Sequence, residues 1–229
     1  FRDPNYWRVG GRLFFSIFEA AKFVEQLGGP AKTREILASM DVRLRAAGLP
    51  GMHWNAMTAS AALVPALKDA GFLSTSRYNI NSAGKAKADG TEAYEDVMQA
   101  HREHWARMLQ TPLVNLPVVT RGWDVTPRCL STVPWPFPMS PKTGRPEYPY
   151  VPVVTGSTPE RFETLLRESL DFARSDPRGP SAVLVYAWNE WTEGGYLLPE
   201  EKEGTAHLEA IRRVFGVRDA AAAPTKAAP

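Results

Sequence analysis

Short apolar runs alternate with longer amphipathic segments five times along this chain, and that alternation limits the possible folds more than any single residue does. Arg12–Phe18 (RLFFSIF) reads as a buried strand, and Pro30–Ala47 as a helix with Ile36, Leu37, Met40 and Leu44 at helical spacing, closed by Gly48. Gly51–Met57 gives a second strand, followed by a short helix over Ala59–Ala70 that Gly71 ends. Phe72–Tyr78 gives a third, and after a polar loop Glu92–Leu109 forms a helix. Leu113–Thr120 is the fourth; Thr158 then caps a helix over Pro159–Ala173, with proline in its first turn. The fifth strand, Ala182–Ala187, precedes a helix from Thr205 to Phe215 that Gly216 terminates.

Such alternation implies parallel strands joined by right-handed crossovers. An open doubly wound sheet would fit five strands, but no glycine-rich phosphate loop follows any of them. A complete (β/α)8 barrel needs about 250 residues and eight strands. The expected α/β fold is therefore the C-terminal five strand and helix units of a TIM-type (β/α)8 barrel over residues 1–217, with the N-terminal part missing. The first three strands would lie upstream of Phe1, or another chain would complete the fold. Alone, these units would expose edge strands and apolar surface unless something covers them. Residues 218–229, rich in alanine and proline, read as a disordered tail.

A net charge of +2 gives no electrostatic case for nucleic acid as a partner. No apolar run is long enough to cross a membrane, and no signal peptide is visible. The lone Cys129 excludes an internal disulfide framework and is compatible with a reducing, cytoplasmic compartment, although a chain beginning at Phe1 leaves its location open.

The chemistry gathers where the fifth strand ends. Trp188, Asn189, Glu190, Trp191, Thr192, Glu193 and Gly194 put two acids, an amide and two indoles past a strand's carboxyl end, where barrel enzymes keep their active sites. Cleaving a glycosidic bond takes one carboxyl to protonate the leaving oxygen and another to act as base, nucleophile or charge stabiliser. Glu190 and Glu193 can face one cavity, and their mutual repulsion beside the indoles would keep one of them protonated. Trp188 and Trp191 suit the C–H faces of a pyranose, and Asn189 can hold hydroxyls. The alternative is structural: the acids sit at a helix start and the tryptophans fill the core.

A second cluster, TRGWDVTPR, follows the fourth strand and places Trp123, Asp124 and Arg128 on the same face of a barrel. Asp124 could accept bonds from sugar hydroxyls; Arg128 could hold Asp124, bind an anionic group of a glycan or brace the loop. Glu19 follows the first strand directly and could bind substrate at the barrel's functional end or serve as a helix N-terminal acid, and Tyr78 and Asn79, after the third strand, could bind sugar hydroxyls. His53 and Trp54 fit a core or loop role better than a ligand role. His101 and His104, three residues apart on a helix without a matching third ligand, suit a solvated face rather than a metal. Neither a metal nor an organic cofactor is implied. The proline-rich stretch from Ser131 to Pro152 reads as a loop covering the site mouth, with Trp135 and Phe137 as candidate contacts.

The strings GWDVTPR, TGSTPERFETLL and YAWNEWTEGGYLLPEEKEGTAHLEAI resemble the glycoside hydrolase family 99-like domain of WbsX-type proteins, named as glycosyltransferases or as polysaccharide biosynthesis proteins. The resemblance covers most of the chain and is most specific in its final third. It implies a (β/α)8 barrel acting on an oligosaccharide or polysaccharide. By analogy with the related endo-α-mannosidases, it implies that Glu190 is the base acting on the sugar 2-hydroxyl and Glu193 the general acid and base. Val125, where the family usually has a small polar residue, and Leu198, where it favours an acid, depart from the pattern. Neither touches the paired glutamates.

Overall fold

The computed structural model describes residues 1–128 and 152–216. The tail expected over 218–229, Cys129 and nearly all of the proline-rich loop, with Trp135 and Phe137, lie outside the described residues. The fold is mixed α/β, a curled sheet with six α-helices among the described residues.

β1 (Arg8–Val9) and β2 (Arg12–Ile17) form an antiparallel hairpin across Gly10 and Gly11, whose φ angles of 56° and 76° are the left-handed values a two-residue turn needs. This hairpin was not expected from the sequence, and β1 covers part of the outer edge of β2. From there β2, β3 (Met52–Met57), β4 (Ser74–Ser76) and β6 (Val114–Asn115) lie side by side in chain order, all parallel. β7 (Val118–Thr120) pairs in parallel with β9 (Leu184–Tyr186).

β6 and β7 are two halves of the expected fourth strand, interrupted at Leu116 and Pro117. Leu116 N–H donates back to the Thr75 carbonyl at 2.8 Å, whereas the Pro117 carbonyl accepts from Leu184 N–H at 2.9 Å. Pro117 has no N–H to give a ladder, so the chain changes strand partner where that loss does least harm. The expected third strand, Phe72–Tyr78, shortens to β4 because the backbone turns away at Arg77. A further parallel pair, β5 (Thr91–Ala93) with β8 (Val153–Thr155), stands outside the main sheet and was not anticipated.

The helices follow their sequence signals closely. α2 (Pro30–Ala46) starts on proline and α4 (Tyr94–Leu109) carries Glu95 and Asp96 in its first turn, where acids favour the helix dipole. The Thr158 hydroxyl accepts from Arg161 N–H to cap α5 (Pro159–Ser175), and Gly216 at φ 72° ends α6 (Ala206–Phe215). α3 is the short segment Val64–Asp69; α1 (Ala20–Gln26) is additional to the sequence expectation.

Two apolar cores flank the sheet. The outer face of β2 and β3, with Leu13, Met52, Trp54 and Ala56, packs on Val24, Leu37 and Leu67 from α1, α2 and α3. Tyr94, Val97, Phe162, Leu165 and Ala210 join α4, α5 and α6 around Val119 of β7. Each such side chain fully buried stabilises the fold by about 1.5–3 kcal/mol. His101 and His104 belong to the buried stripe of α4, 0% and 1% exposed, so the expected solvated face is corrected: they share the helix face that carries Tyr94, Val97, Trp105 and Met108 inward.

The opposite face of the main sheet is polar. In the parallel register Ser16 lies beside Asn55 and Asn55 beside Ser74, and Asn55 Nδ2 donates to Ser16 and Ser76 hydroxyls at 2.6 and 2.8 Å while its Oδ1 accepts from Ser74 at 2.8 Å. His53 Nε2 meets Ser74 Oγ at 2.9 Å. His53 is thus a satisfied interior residue, as the sequence suggested, and a hydrogen-bonded layer underlies the carboxyl ends of the strands.

Candidate functional site

β2, β3 and β4 of the main sheet, and the β7–β9 pair, send their carboxyl ends and following loops to one cavity of about 500 Å³. Phe18 and Glu19 come from beyond β2, Met57 and Thr58 from β3, Arg77, Tyr78 and Asn79 from β4, Trp123 from β7 and Glu193 from β9. The common direction of parallel strands is what brings residues so distant in sequence to one mouth.

Of the two glutamates after β9, Glu193 is the one that lines this cavity. It sits at the end of a 3₁₀ turn over Trp191–Glu193, nearly buried, with both carboxylate oxygens engaged. Oε1 accepts from Arg128 Nη1 at 2.7 Å, and Oε2 accepts from the Tyr186 hydroxyl. Arg128 also donates through Nη2 to Glu190 Oε1 at 3.2 Å and through Nε to Thr192 Oγ1 at 2.9 Å. One guanidinium therefore spans both glutamates and offsets the repulsion that the sequence alone suggested between them. Glu190 is not on the cavity wall; Arg128 links it to Glu193 from behind.

The turn is locked from two sides. Asp124 N–H donates to the Glu193 carbonyl at 2.9 Å, and Gly194 takes the left-handed φ of 66°. A Cβ on Gly194 would meet Asp124 N at 2.7 Å, and one on Gly195 would meet the Tyr186 ring at 2.3 Å. Both positions need a bare backbone. The Asp124 carboxylate is spent on its own loop, accepting from Thr126 N–H at 2.9 Å and the Thr126 hydroxyl at 2.7 Å, where it starts the short 3₁₀ turn that carries Arg128.

The aromatic candidates divide. Trp123 is 2% exposed and packs with Ile80, Val118, Val125 and Tyr186 as the floor of the cavity. Tyr78, 45% exposed, lines the same cavity, edge-on to Phe18 at 5.3 Å and to Tyr186 at 5.1 Å. Trp191 faces a second, more polar cavity of about 370 Å³ and stacks on Tyr196 at 4.1 Å; Asp124 and Trp123 line that cavity too. Trp188 and Asn189 are exposed and line neither space. The alternative of tryptophans filling a core is thereby set aside for Trp188 and Trp191, which are 57% and 44% exposed.

Glu19 stands on the main cavity in a left-handed conformation, φ 48° and ψ 48°, and is the one residue other than glycine with positive φ among the described residues. Its carboxylate lies 3.6 Å from Lys22 Nζ.

Sequence reasoning missed three contributors. Tyr186 passes for a core strand residue, although strand alternation puts it on the same face as Leu184, toward the cavity floor. Arg77 adjoins the chosen Tyr78, and the same rule of strand ends would have found it. Arg121 anchors the second cavity, donating to the Tyr196 carbonyl at 2.9 Å, Glu200 at 2.5 Å and His207 Nε2 at 3.1 Å, with its guanidinium 4.6 Å from the centre of the Tyr196 ring. Glu200, Glu203 and His207 form a group of metal-ligating type, but Arg121 already supplies the cation between them. His207 is kept neutral, its pKa lowered to about 4 by burial and then by Arg121, and its Nδ1 lies 3.2 Å from Glu203.

The fold has solved counterparts. The structure of the GH99 endo-alpha-mannosidase from Bacteroides thetaiotaomicron aligns with a TM-score of 0.51 at 14% identity, covering 91% of this chain and 54% of that one. The structure of the same organism's GH99 endo-alpha-mannosidase with bis-tris-propane aligns at 0.51 and 16% identity, covering 93% and 59%. The chain thus spans a little over half the length of these structures, and at such identity the likeness concerns the fold alone. No curated protein matches the chain. A family model described as Glycosyltransferase WbsX matches residues 1–211, and the chain belongs to that family.

Proposed function

We propose that this chain carries the catalytic side of a carbohydrate-active site, a glycoside hydrolase-like centre acting on an α-linked, mannoside-like glycan. The observation that carries the reading is the position of Glu193: a nearly buried carboxylate on the wall of a 500 Å³ cavity at the carboxyl ends of β2, β3, β4, β7 and β9, coupled through Arg128 to a second glutamate. In this reading Glu193 is the general acid and base, Arg128 and Tyr186 are the groups that orient it, and Glu190 is the base acting on the sugar 2-hydroxyl, a role that requires it to turn from Arg128 onto the cavity wall. Tyr78 supplies an aromatic surface for a sugar ring, and the buried Trp123 supports the cavity floor beneath it. The chain order of the parallel strands and the sharing of one mouth support reading the sheet as consecutive units of a (β/α)8 barrel.

A second reading is a transferase component or a glycan-binding module of polysaccharide synthesis. It is favoured by the occupation of both Glu193 oxygens, one by Arg128 and one by Tyr186, which leaves neither turned freely to a leaving group.

Turnover decides between them. Hydrolysis of α-mannosides by the full-length protein, lost on Glu190→Gln and on Glu193→Gln while glycan binding persists, supports the hydrolase. Turnover unchanged in both variants would sink it, and binding without turnover in the unmodified protein favours the second reading.

A further inference from the structure

Among the described residues, the charged ones lining the main cavity are Glu19, Lys22, Arg77 and Glu193. Three of them are compensated: Glu19 and Lys22 lie 3.6 Å apart, and Glu193 is paired with Arg128 at 2.7 Å. Arg77 is not. It is half-buried, and among the described residues no ion pair or side-chain hydrogen bond reaches its guanidinium.

Its surroundings confirm the deficit. Burial first, and then the neighbouring cation of Arg107, lower the Arg77 pKa, the direction expected where no anion stands close. The Arg77 charge also acts on His101 and His104 of α4, which bring no negative charge. Both are held neutral mainly by burial, His101 to about 4 and His104 to about 3, and Arg77 adds to each depression. A guanidinium withdrawn from water without a counter-ion is an expensive arrangement, and a folded chain that keeps one at a cavity wall leaves that charge for something that enters the cavity.

The position suits a ligand. Arg77 leaves the end of β4 beside Tyr78 and Asn79, which line the same space, so a ring placed against Tyr78 brings its substituents near the guanidinium. The planar fork of arginine takes carboxylate or phosphate through two parallel hydrogen bonds, whereas a neutral hydroxyl leaves its charge uncompensated.

We propose that Arg77 forms an anion subsite of this cavity and that the glycan bound there bears an acidic group, a carboxylate or a phosphate. The proposal rests on the glycan reading above and narrows its substrate class to acidic saccharides.

Three forms of one α-linked mannobioside test it by calorimetric titration of the full chain: the neutral sugar, the form oxidised to a carboxylate at C6, and the form phosphorylated on O6. At least one acidic form binds about tenfold or more tighter than the neutral one, and the tighter of the two names the acid. Arg77→Met brings the acidic-to-neutral ratio to within about twofold of one, and Arg77→Lys, which keeps the charge without the fork, retains part of the preference. A circular dichroism spectrum matching the unmodified protein shows that each variant is folded. Equal binding of all three forms, or a preference that survives Arg77→Met, overturns the anion subsite while leaving the glycan reading standing. Failure of all three forms to bind at millimolar concentration overturns the glycan reading, and the acidic preference with it.

Discussion

The backbone N–H of Asp124 donates to the carbonyl of Glu193 at 2.9 Å, joining the loop after the fourth strand to the turn after the fifth. That single bond fixes the depth of Glu193 in the cavity wall. It exists because Gly194 lets the chain pass Asp124 without a side chain.

Gly194→Ala therefore strains both the left-handed φ of 66° and the approach to Asp124 N, which a Cβ would meet at 2.7 Å. The expected loss is about 1–3 kcal/mol of stability, read as a lower midpoint in urea. Any catalytic activity falls further than the stability loss explains, because the displaced group is Glu193. A variant with the original midpoint and unchanged activity refutes this account of the turn.

All four histidines of the chain have lowered pKa values in the folded state: His53, His101 and His207 to about 4 and His104 to about 3, with burial the first cause in each case. Above pH 6.5 they are neutral in both folded and unfolded chains, so they add no pH dependence there. Below pH 6.5 the unfolded chain takes up protons that the folded chain excludes, so stability falls as pH drops toward 4. By pH 5.5 the loss is roughly 1 kcal/mol per histidine. Melting temperatures between pH 7.5 and 5 check the sign: a midpoint that holds or rises on acidification contradicts four buried neutral imidazoles. Replacing His104, whose ring nitrogens have no hydrogen-bond partner among the described residues, with phenylalanine flattens the slope.

Glu19 holds a left-handed backbone that costs a non-glycine residue on the order of 1 kcal/mol. Glu19→Gly relieves it. The midpoint in urea rises by an amount corresponding to about 0.5–1 kcal/mol, while affinity for the glycan falls because a cavity-lining carboxylate is lost. A destabilised Glu19→Gly protein means that the carboxylate contributes more to the fold than its exposed pairing with Lys22 suggests.

How much of this was readable in the sequence depends on the range of the forces involved. The five strand and helix units and their common mouth follow from local periodicity and capping residues, so Pro30, Thr158 and Gly216 mark helix ends where the structure has them. The hairpin at Gly10 and Gly11 has a sequence signal of its own, since two adjacent glycines favour such a turn. The partners of Arg128 were not readable. Asp124, four residues away, was the natural choice in sequence, and only the fold shows that the Thr126 backbone and hydroxyl take the Asp124 carboxylate while Arg128 reaches glutamates more than sixty residues later. Burial of His101 and His104 was likewise hidden, because the helix face that turns inward is decided by what packs on it. The acid pair was legible as chemistry; its wiring through Arg128 and Tyr186 belongs to tertiary structure.

The break at Pro117 divides the site as the joint divides a pair of pliers. Among the described residues Val114 and Asn115 pair in the backbone ladder with the third strand and Val118 to Thr120 with the fifth, so the ladder is not continuous across that proline, although Ile80 N–H beyond the third strand donates to the Thr120 hydroxyl at 2.8 Å. One jaw carries Glu19, Arg77 and Tyr78; the other carries Trp123, Arg128 and the two glutamates. In the proposed site, the distance from an acidic substituent at Arg77 to a bond at Glu193 would follow from how the chain crosses between strands at Pro117, a residue that lines neither position.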